Sequence, residues 1–352
     1  MLWLTLRQYR THLLATGVIL LALAAVLLIH GLLTQSFIAQ SAPVGCPSTA
    51  ARCTAFDQQL MGRYQQLQPL LQLLPLLPAL IGAFWGAPLL AREYERGTYK
   101  LVWTQTVSRQ KWLAVKLSVI GAAAALGGLA LGVMISAWLS VFRGTTFPGV
   151  YPDRSFFELR GIVPSGWWVF SFMIGAAAGA VIRRTLPAMA VTIVLAVALL
   201  MSFNSARDYV YAAPDQLVVT TLPVSAAIPV GSSYVDSWWL DPQGNAQSEV
   251  AVQRATATTC PQTDPQVLPD SCLIGHGYRA VVLFQPPTRW WRYQLTEDTM
   301  LLLASLLTGA LIVAADDPGH APPALPHLLP SSRSPLGRQV SDHTYHRAHY
   351  SR

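Results

Sequence analysis

The sequence predicts an all-α integral membrane protein. It has six transmembrane helices, a short amphipathic helix on the inner membrane surface, and a small disulfide-bonded α/β extracytoplasmic region. Three observations carry this. The 352-residue chain is 52% hydrophobic and only 12% charged, with mean hydropathy +0.38. Its apolar residues gather in long uncharged runs, each near the ~20 residues that cross a hydrocarbon core. Its basic residues fall unevenly between the intervening loops. A soluble helical protein is disfavoured, because buried core helices have shorter apolar stretches.

The first run, 13–35, follows Arg7 and Arg10 and precedes "AQSA". It is longer than the 7–15-residue core of a secretory signal, so it is read as a retained span. The second, 68–91, contains Pro75, Pro78 and Pro88 together with Gly82 and Gly86. Each interior proline removes a backbone hydrogen bond and bends the helix. That suits either the wall of a cavity or a merely bent structural helix. The third span, 117–141, carries Gly128 and Gly132, and the fourth, 163–182, carries Gly175 and Gly179. Small residues four apart make a strip against which another helix packs closely. The fifth and sixth spans are 186–203 and 299–315. His30 near the outer end of the first span is read as structural, since proton relays use several buried ionisable groups. With no charge expected mid-span, a carboxylate-relay pump is disfavoured and a path for amphipathic or apolar cargo fits better.

Orientation follows from charge. With the N-terminus inside, segments 1–12, 92–116, 183–185 and 316–352 hold 14 Lys/Arg against 5 acids. The outer segments 36–67, 142–162 and 204–298 hold 10 Arg against 12 acids. This places a multi-pass protein in the cytoplasmic membrane with both termini cytoplasmic. The excess of base is a product of topology, so no nucleic-acid partner is expected. All four cysteines, Cys46, Cys53, Cys260 and Cys272, lie in outer segments. Their spacings suit two local disulfides on an oxidising face. Without a CxxC pair or an adjacent histidine cluster, a metal site is disfavoured.

The chain divides into residues 1–203 with five spans, an extracytoplasmic domain at 204–298, the sixth span at 299–315 and a tail at 316–352. In the outer domain "QLVVTT", "EVAVQRATATT" and "YRAVVLFQ" read as short strands. Trp290 and Trp291, between Arg289 and Arg292, are expected to seat it at the membrane interface, with plain packing favoured for either tryptophan alone and a substrate gate as an alternative. The Pro-, Ser- and His-rich tail reads as a disordered solvated segment. No GxxxxGK[ST], HExxH or nucleophile elbow occurs, so no catalytic residue, cofactor or metal is assigned.

The inner loop is the most informative stretch. Two glutamates and several basic residues stand between long apolar runs in "REYERGTYKLVWTQTVSRQKWLAVK". Gly97 ends one helix and Thr98 caps the next. Tyr99, Val102, Trp103, Thr106 and Val107 then recur at helical spacing, giving a surface helix over about 98–109. An ordinary basic loop explains the cations but leaves the carboxylates unexplained.

This segment resembles the cytoplasmic loop of permease subunits of type-2 ABC exporters. The matching residues are Glu93, Glu95, Gly97, Thr98, Val107, Ser108, Arg109 and Lys116. "GAFWGAPLLARE" and "FQPPTRWWRYQ" resemble the actinobacterial branch of that family, and six spans with a large loop before the last agree. The acidic pair Asp316-Asp317 departs from the family, which places basic residues there. The resemblance implies that 98–109 is a coupling helix docking on a separate ATP-binding subunit. Glu93, Glu95, Arg96, Gly97, Thr98, Trp103, Arg109 and Lys116 would serve the coupling. It also implies a non-catalytic export subunit in the lipid bilayer, paired with a second permease protomer as a homo- or heterodimer. The glutamates are expected to pair with donors on the partner or on an adjacent helix. The alternative from the residues alone is a membrane-anchored sensor whose outer domain binds a ligand. A sensor would be expected to carry a cytoplasmic output domain.

Overall fold

The computed structural model describes residues 2–44, 51–96, 109–142, 154–220, 229, 232–259 and 269–315. Six stretches of helix are long and apolar enough to cross a membrane: Tyr9–Ser41, Ala55–Arg96, Gln110–Ser140, Val163–Ile182, Thr185–Arg207 and Pro287–Ala314. All six expected spans are therefore present. Several are longer than hydropathy alone suggested, because helices continue through polar residues once those find partners.

Helix α1 (Leu2–Ser41) lies at the edge, packed on α5 (Arg109–Ser140). Leu14 and Leu21 on α1 are 66% and 72% exposed, as expected of side chains that face lipid. The second span is not one regular helix. Helix α2 (Ala51–Leu73) passes through a 3-10 turn at Leu74–Leu76 into α3 (Leu77–Ile81), then a π-turn at Gly82–Gly86, then α4 (Ala87–Arg96). Pro75 and Pro78 lie at the starts of the 3-10 turn and α3, where their missing N–H groups cost least. Pro69 sits inside α2.

Helix α6 (Val163–Ile182) is the hub, packed against α3, α4, α5, α7 (Thr185–Val210) and α10 (Trp290–Ala315). Trp167, Trp168 and Phe172 are among its fully buried side chains. The approach on its other face is backbone to backbone. A Cβ on Gly175 would collide with the carbonyl of Gly82, and one on Gly179 with that of Ala87. Gly128 and Gly132 on α5 meet Pro164 and Gly161 in the same way. Small residues thus let α6 lie directly on α5 and on the π-turn, where dispersion rather than water exclusion holds helices together.

Beyond α7 the chain forms a four-stranded sheet, in the order β1-β4-β2-β3 and antiparallel throughout. Its strands are β1 (Asp215–Val219), β2 (Ser233–Leu240), β3 (Ala246–Gln247) and β4 (Arg279–Gln285). Val219, Ala280 and Val282 form its core with Leu217 and Trp239. "QLVVTT" and "YRAVVLFQ" are strands as expected. "EVAVQRATATT" is not: Glu249–Thr259 is helix α8. Ser248 caps it through its hydroxyl to the Ala251 N–H at 3.3 Å. That cap, with Ala, Gln and Arg in the segment, outweighs the β-branched residues on which the strand reading rested. A second short helix, α9 (Pro269–Gly275), packs on β4.

Candidate functional site

The C-terminal turn of α4 carries Glu93, Tyr94 and Glu95, and successive side chains on a helix point about 100° apart. Each therefore reaches a different neighbour. Lys116 on α5 donates to Glu93 Oε1 at 2.5 Å, with its Nζ 4.5 Å from the centre of the Trp112 ring. Lys116 is buried and Glu93 is 23% exposed. Tyr94 lies under the Arg183 guanidinium at 5.0 Å. Arg183 ends α6 in the left-handed region (φ 57°), unusual for a residue with a Cβ. Glu95 accepts the Thr185 N–H at 2.8 Å and the Thr185 hydroxyl at 2.7 Å. Thr185 opens α7, so Glu95 satisfies one of the helix's orphan donors and places negative charge at its positive end. Three consecutive residues thus tie α4 to α5, α6 and α7.

A second polar cluster lies at the other end of α7. From Thr185 to Arg207 the helix runs about 33 Å, one hydrocarbon thickness. Arg207 is buried, and its Nε and Nη2 donate to the two carboxylate oxygens of Glu297 on α10 at 3.0 and 3.1 Å. Its Nη1 donates to Glu158 at 2.9 Å, and the guanidinium stacks 4.1 Å over the Phe157 ring. Both carboxylates are buried. Glu297 also accepts from Trp167 Nε1 at 2.9 Å and from the Tyr211 hydroxyl at 3.2 Å. Burial first, then the Glu297 charge, raises the Tyr211 phenol well above its ordinary pKa and keeps it a donor.

Neighbouring residues extend this cluster. The Gln294 side chain accepts the N–H groups of Ile162 and Val163 at 3.0 and 3.2 Å, capping the start of α6. Gly161, at φ +65°, turns the chain into that cap, where a Cβ would strike the Gln294 side chain. Ser165 donates to Asp298 at 3.3 Å. Arg289 joins the sheet to the helices, donating to Asp215 at 2.7 Å and to the Ala213 carbonyl at 2.9 Å.

Among the residues singled out for coupling, Glu93, Glu95 and Lys116 are brought together at one end, beside Arg96 on the last turn of α4. Gly97, Thr98 and Trp103 lie outside the described residues, as does the surface helix except its last residue, Arg109, which opens α5. Of the cysteines, Cys46 and Cys260 also lie outside. Cys53 is buried on α2, and neither it nor Cys272 is a free thiol. The tail at 316–352 is likewise outside the described residues. His30 has the structural role expected of it. Trp138 Nε1 donates to its Nδ1 at 3.2 Å, leaving Nε2–H to donate to the Arg63 carbonyl at 3.1 Å.

Two stretches carry more structure than hydropathy alone indicates. Arg207 and Glu297 lie on the same helices as the fifth and sixth candidate spans, Thr185–Arg207 and Pro287–Ala314, and carry buried charge to the edge of the apolar region. Hydropathy stops at the first charged residue, whereas a helix continues when that residue is paired. The signal was present as polar stripes at helical spacing: Asn204 and Arg207 on α7 with Tyr211 just past its end, and Gln294, Glu297 and Asp298 on α10. The second stretch holds the tryptophans. Trp291 is exposed, but Trp290 packs on Phe157 at 5.1 Å beneath the Arg160 guanidinium. Arg289 donates to Asp215 of β1, so Arg289 and Trp290 together fasten the sheet to the helices.

No curated protein and no solved structure matches the chain. A family model, ABC-2 membrane transporter related, matches residues 17–207, from within α1 to Arg207 itself. With that match over more than half its length and six helices of membrane-spanning character, the chain belongs to the ABC-2 membrane transporter related family and is a multi-pass permease.

Proposed function

We propose that this permease is the membrane-spanning subunit of an ATP-driven exporter, coupled to a separate ATP-binding subunit through residues 98–109. The observation that supports the reading is the set of three contacts made by Glu93, Tyr94 and Glu95. A push on 98–109 enters the bundle at the end of α4 and the start of α5. The three side chains pass it to α5, α6 and α7, because each joins the end of α4 to a different helix. Rigid-body motion of helices is the ordinary output of such an arrangement. The glutamates act here as the mounting of the lever, and the docking surface for the partner falls to 98–109.

In this reading the Glu93 end is cytoplasmic and the sheet lies outside, in keeping with the charge balance of the loops. The cysteine pairs are Cys46–Cys53 and Cys260–Cys272, the functional unit is a dimer of permease protomers, and the cargo is small or amphipathic. The resemblance of "GAFWGAPLLARE" and "FQPPTRWWRYQ" to the actinobacterial branch supports membership of that branch.

Reconstitution with the ATP-binding subunit tests the central claim. Glu93→Ala with Glu95→Ala is expected to leave partner co-purification intact. Permease-stimulated ATP hydrolysis should fall about tenfold, a loss of roughly 1.4 kcal/mol of coupling. Full stimulation by the double variant would refute the lever. Single cysteines at 105 and 245 should label from opposite sides of the membrane, and labelling of both from outside would reverse the topology.

A further inference from the structure

We propose that Arg207, held between Glu158 and Glu297, is a latch that closes the outer end of the transport path and must open during each cycle. The proposal takes its direction of transport from the reading above, but the latch itself rests on geometry.

Helices α7 and α10 pack chiefly on α6 rather than on each other. Polar bridges across their seam come from Arg207 to Glu297 and from Tyr211 to Glu297. Around it, Phe157, Val163, Trp167, Leu200, Tyr293 and Leu301 form a small apolar cluster separate from the main core of the bundle. The Tyr211 and Tyr293 rings meet at 5.8 Å across the same seam. One guanidinium therefore gathers three segments: the turn carrying Glu158, the end of α7 and the start of α10.

A purely structural role is poorly served by this chemistry. Buried ion pairs contribute little net stability beside well-packed apolar side chains. What they supply is a choice between two discrete arrangements, paired in the dry state or separated and hydrated. Ionisable groups at membrane depth are accordingly expected to serve function. The position adds to this. Glu95 holds the first residue of α7, and the latch holds its far end, so displacement at one clamp is carried along the rod to the other.

The test uses the whole permease in proteoliposomes with Leu200→Cys as reporter, because Leu200 is buried directly inside the latch. Ala124→Cys, fully buried on α5, serves as the control. A membrane-impermeant maleimide is added from the sheet side. Glu297→Gln keeps the side-chain shape but weakens the pairing, and Arg207→Lys keeps charge but loses the fork. Both should speed labelling at position 200 roughly tenfold or more while position 124 stays unreactive. Unchanged labelling at 200 in both variants would overturn the latch. Equal gains at 200 and 124 would show a structural staple and overturn it too. Adding the ATP-binding subunit with a trapped nucleotide should speed labelling at 200 in the otherwise native chain. Faster labelling with the latch variants but none with nucleotide would leave the latch standing and count against the ATP-driven lever instead.

Discussion

At its first residue α7 is held by Glu95, a carboxylate in open water. About 33 Å further on it is held by Glu158 and Glu297, both withdrawn from water around Arg207. The bond lengths at the two ends are nearly the same. Their physical weight is not. In water Glu95 can exchange Thr185 for solvent at little cost, and its field is weakened by the high dielectric and screened over about 10 Å at 0.1 M salt. Around Arg207 the effective dielectric is low, so pairing is strong and its loss leaves charges with nowhere to go. One end is a contact that can be made and broken cheaply, the other a contact with two well-separated states. An input and a gate call for those two properties.

The largest expected effect breaks this comparison most directly. Arg207→Ala leaves Glu158 and Glu297 buried and unpaired, which typically costs about 3–5 kcal/mol. Thermal unfolding in detergent should show a large drop for Arg207→Ala and almost none for Glu95→Ala. Equal losses in the two variants would mean that the ends do not differ as described.

Next in size is the middle of the bundle, through which the two ends must communicate. Gly175→Ala drives a methyl into the Gly82 backbone, and overpacking of this kind costs roughly 1–3 kcal/mol. Gly62→Ala on α2 meets nothing within 4 Å and should be neutral or mildly stabilising. Comparing the two variants by thermal unfolding separates the packing of α6 on the π-turn from a general intolerance of alanine.

The sequence shows the first of these ends far better than the second. Glu93, Glu95 and Lys116 stand out because charged residues are rare between long apolar runs, and Gly175 and Gly179 because small residues recur every four. Their neighbours, however, are set by tertiary packing: nothing local to Glu95 indicates that its acceptor role is played toward Thr185, ninety residues away. Arg207 was harder still. A hydropathy window reports how apolar a stretch is, so it ends the fifth span before Arg207 and starts the sixth after Glu297. The pairing that makes both tolerable within the helices is a long-range fact. Strand and helix in the outer domain divided on a similar point. The apolar run Ala280–Phe284 of β4 pairs with a strand on each side, whereas 249–259 has a serine cap and, among the described residues, pairs with no strand.

An intermediate effect sharpens the account at the basic end. Lys116→Met removes the partner of Glu93, which is partly open to solvent and can recover hydration. The expected cost is about 1–2 kcal/mol, less than at Arg207, since charged hydrogen bonds contribute about 1.5–3 kcal/mol and water restores a share. A loss as large as that of Arg207→Ala would place Glu93 in the same buried regime as Glu158.

The smallest effect is the most discriminating, because it needs no loss of stability. If Glu95 works through a solvent-exposed field and two hydrogen bonds to Thr185, its contribution to coupling should depend on ionic strength. At 1 M salt the Debye length is about 3 Å, against about 10 Å at 0.1 M. The electrostatic attraction between Glu95 and the start of α7 then fades, while the network around Arg207, which ions do not reach, keeps its strength. Nucleotide-driven labelling of Leu200→Cys should weaken in high salt in the native chain. With Glu95→Gln, which keeps one acceptor but no charge, it should already be weak and should change little with salt. Labelling in the absence of nucleotide reports the latch alone and should be the same at both salt concentrations. If high salt instead speeds nucleotide-free labelling at position 200, solvent ions reach Arg207, and the contrast between an exposed input and a buried gate fails.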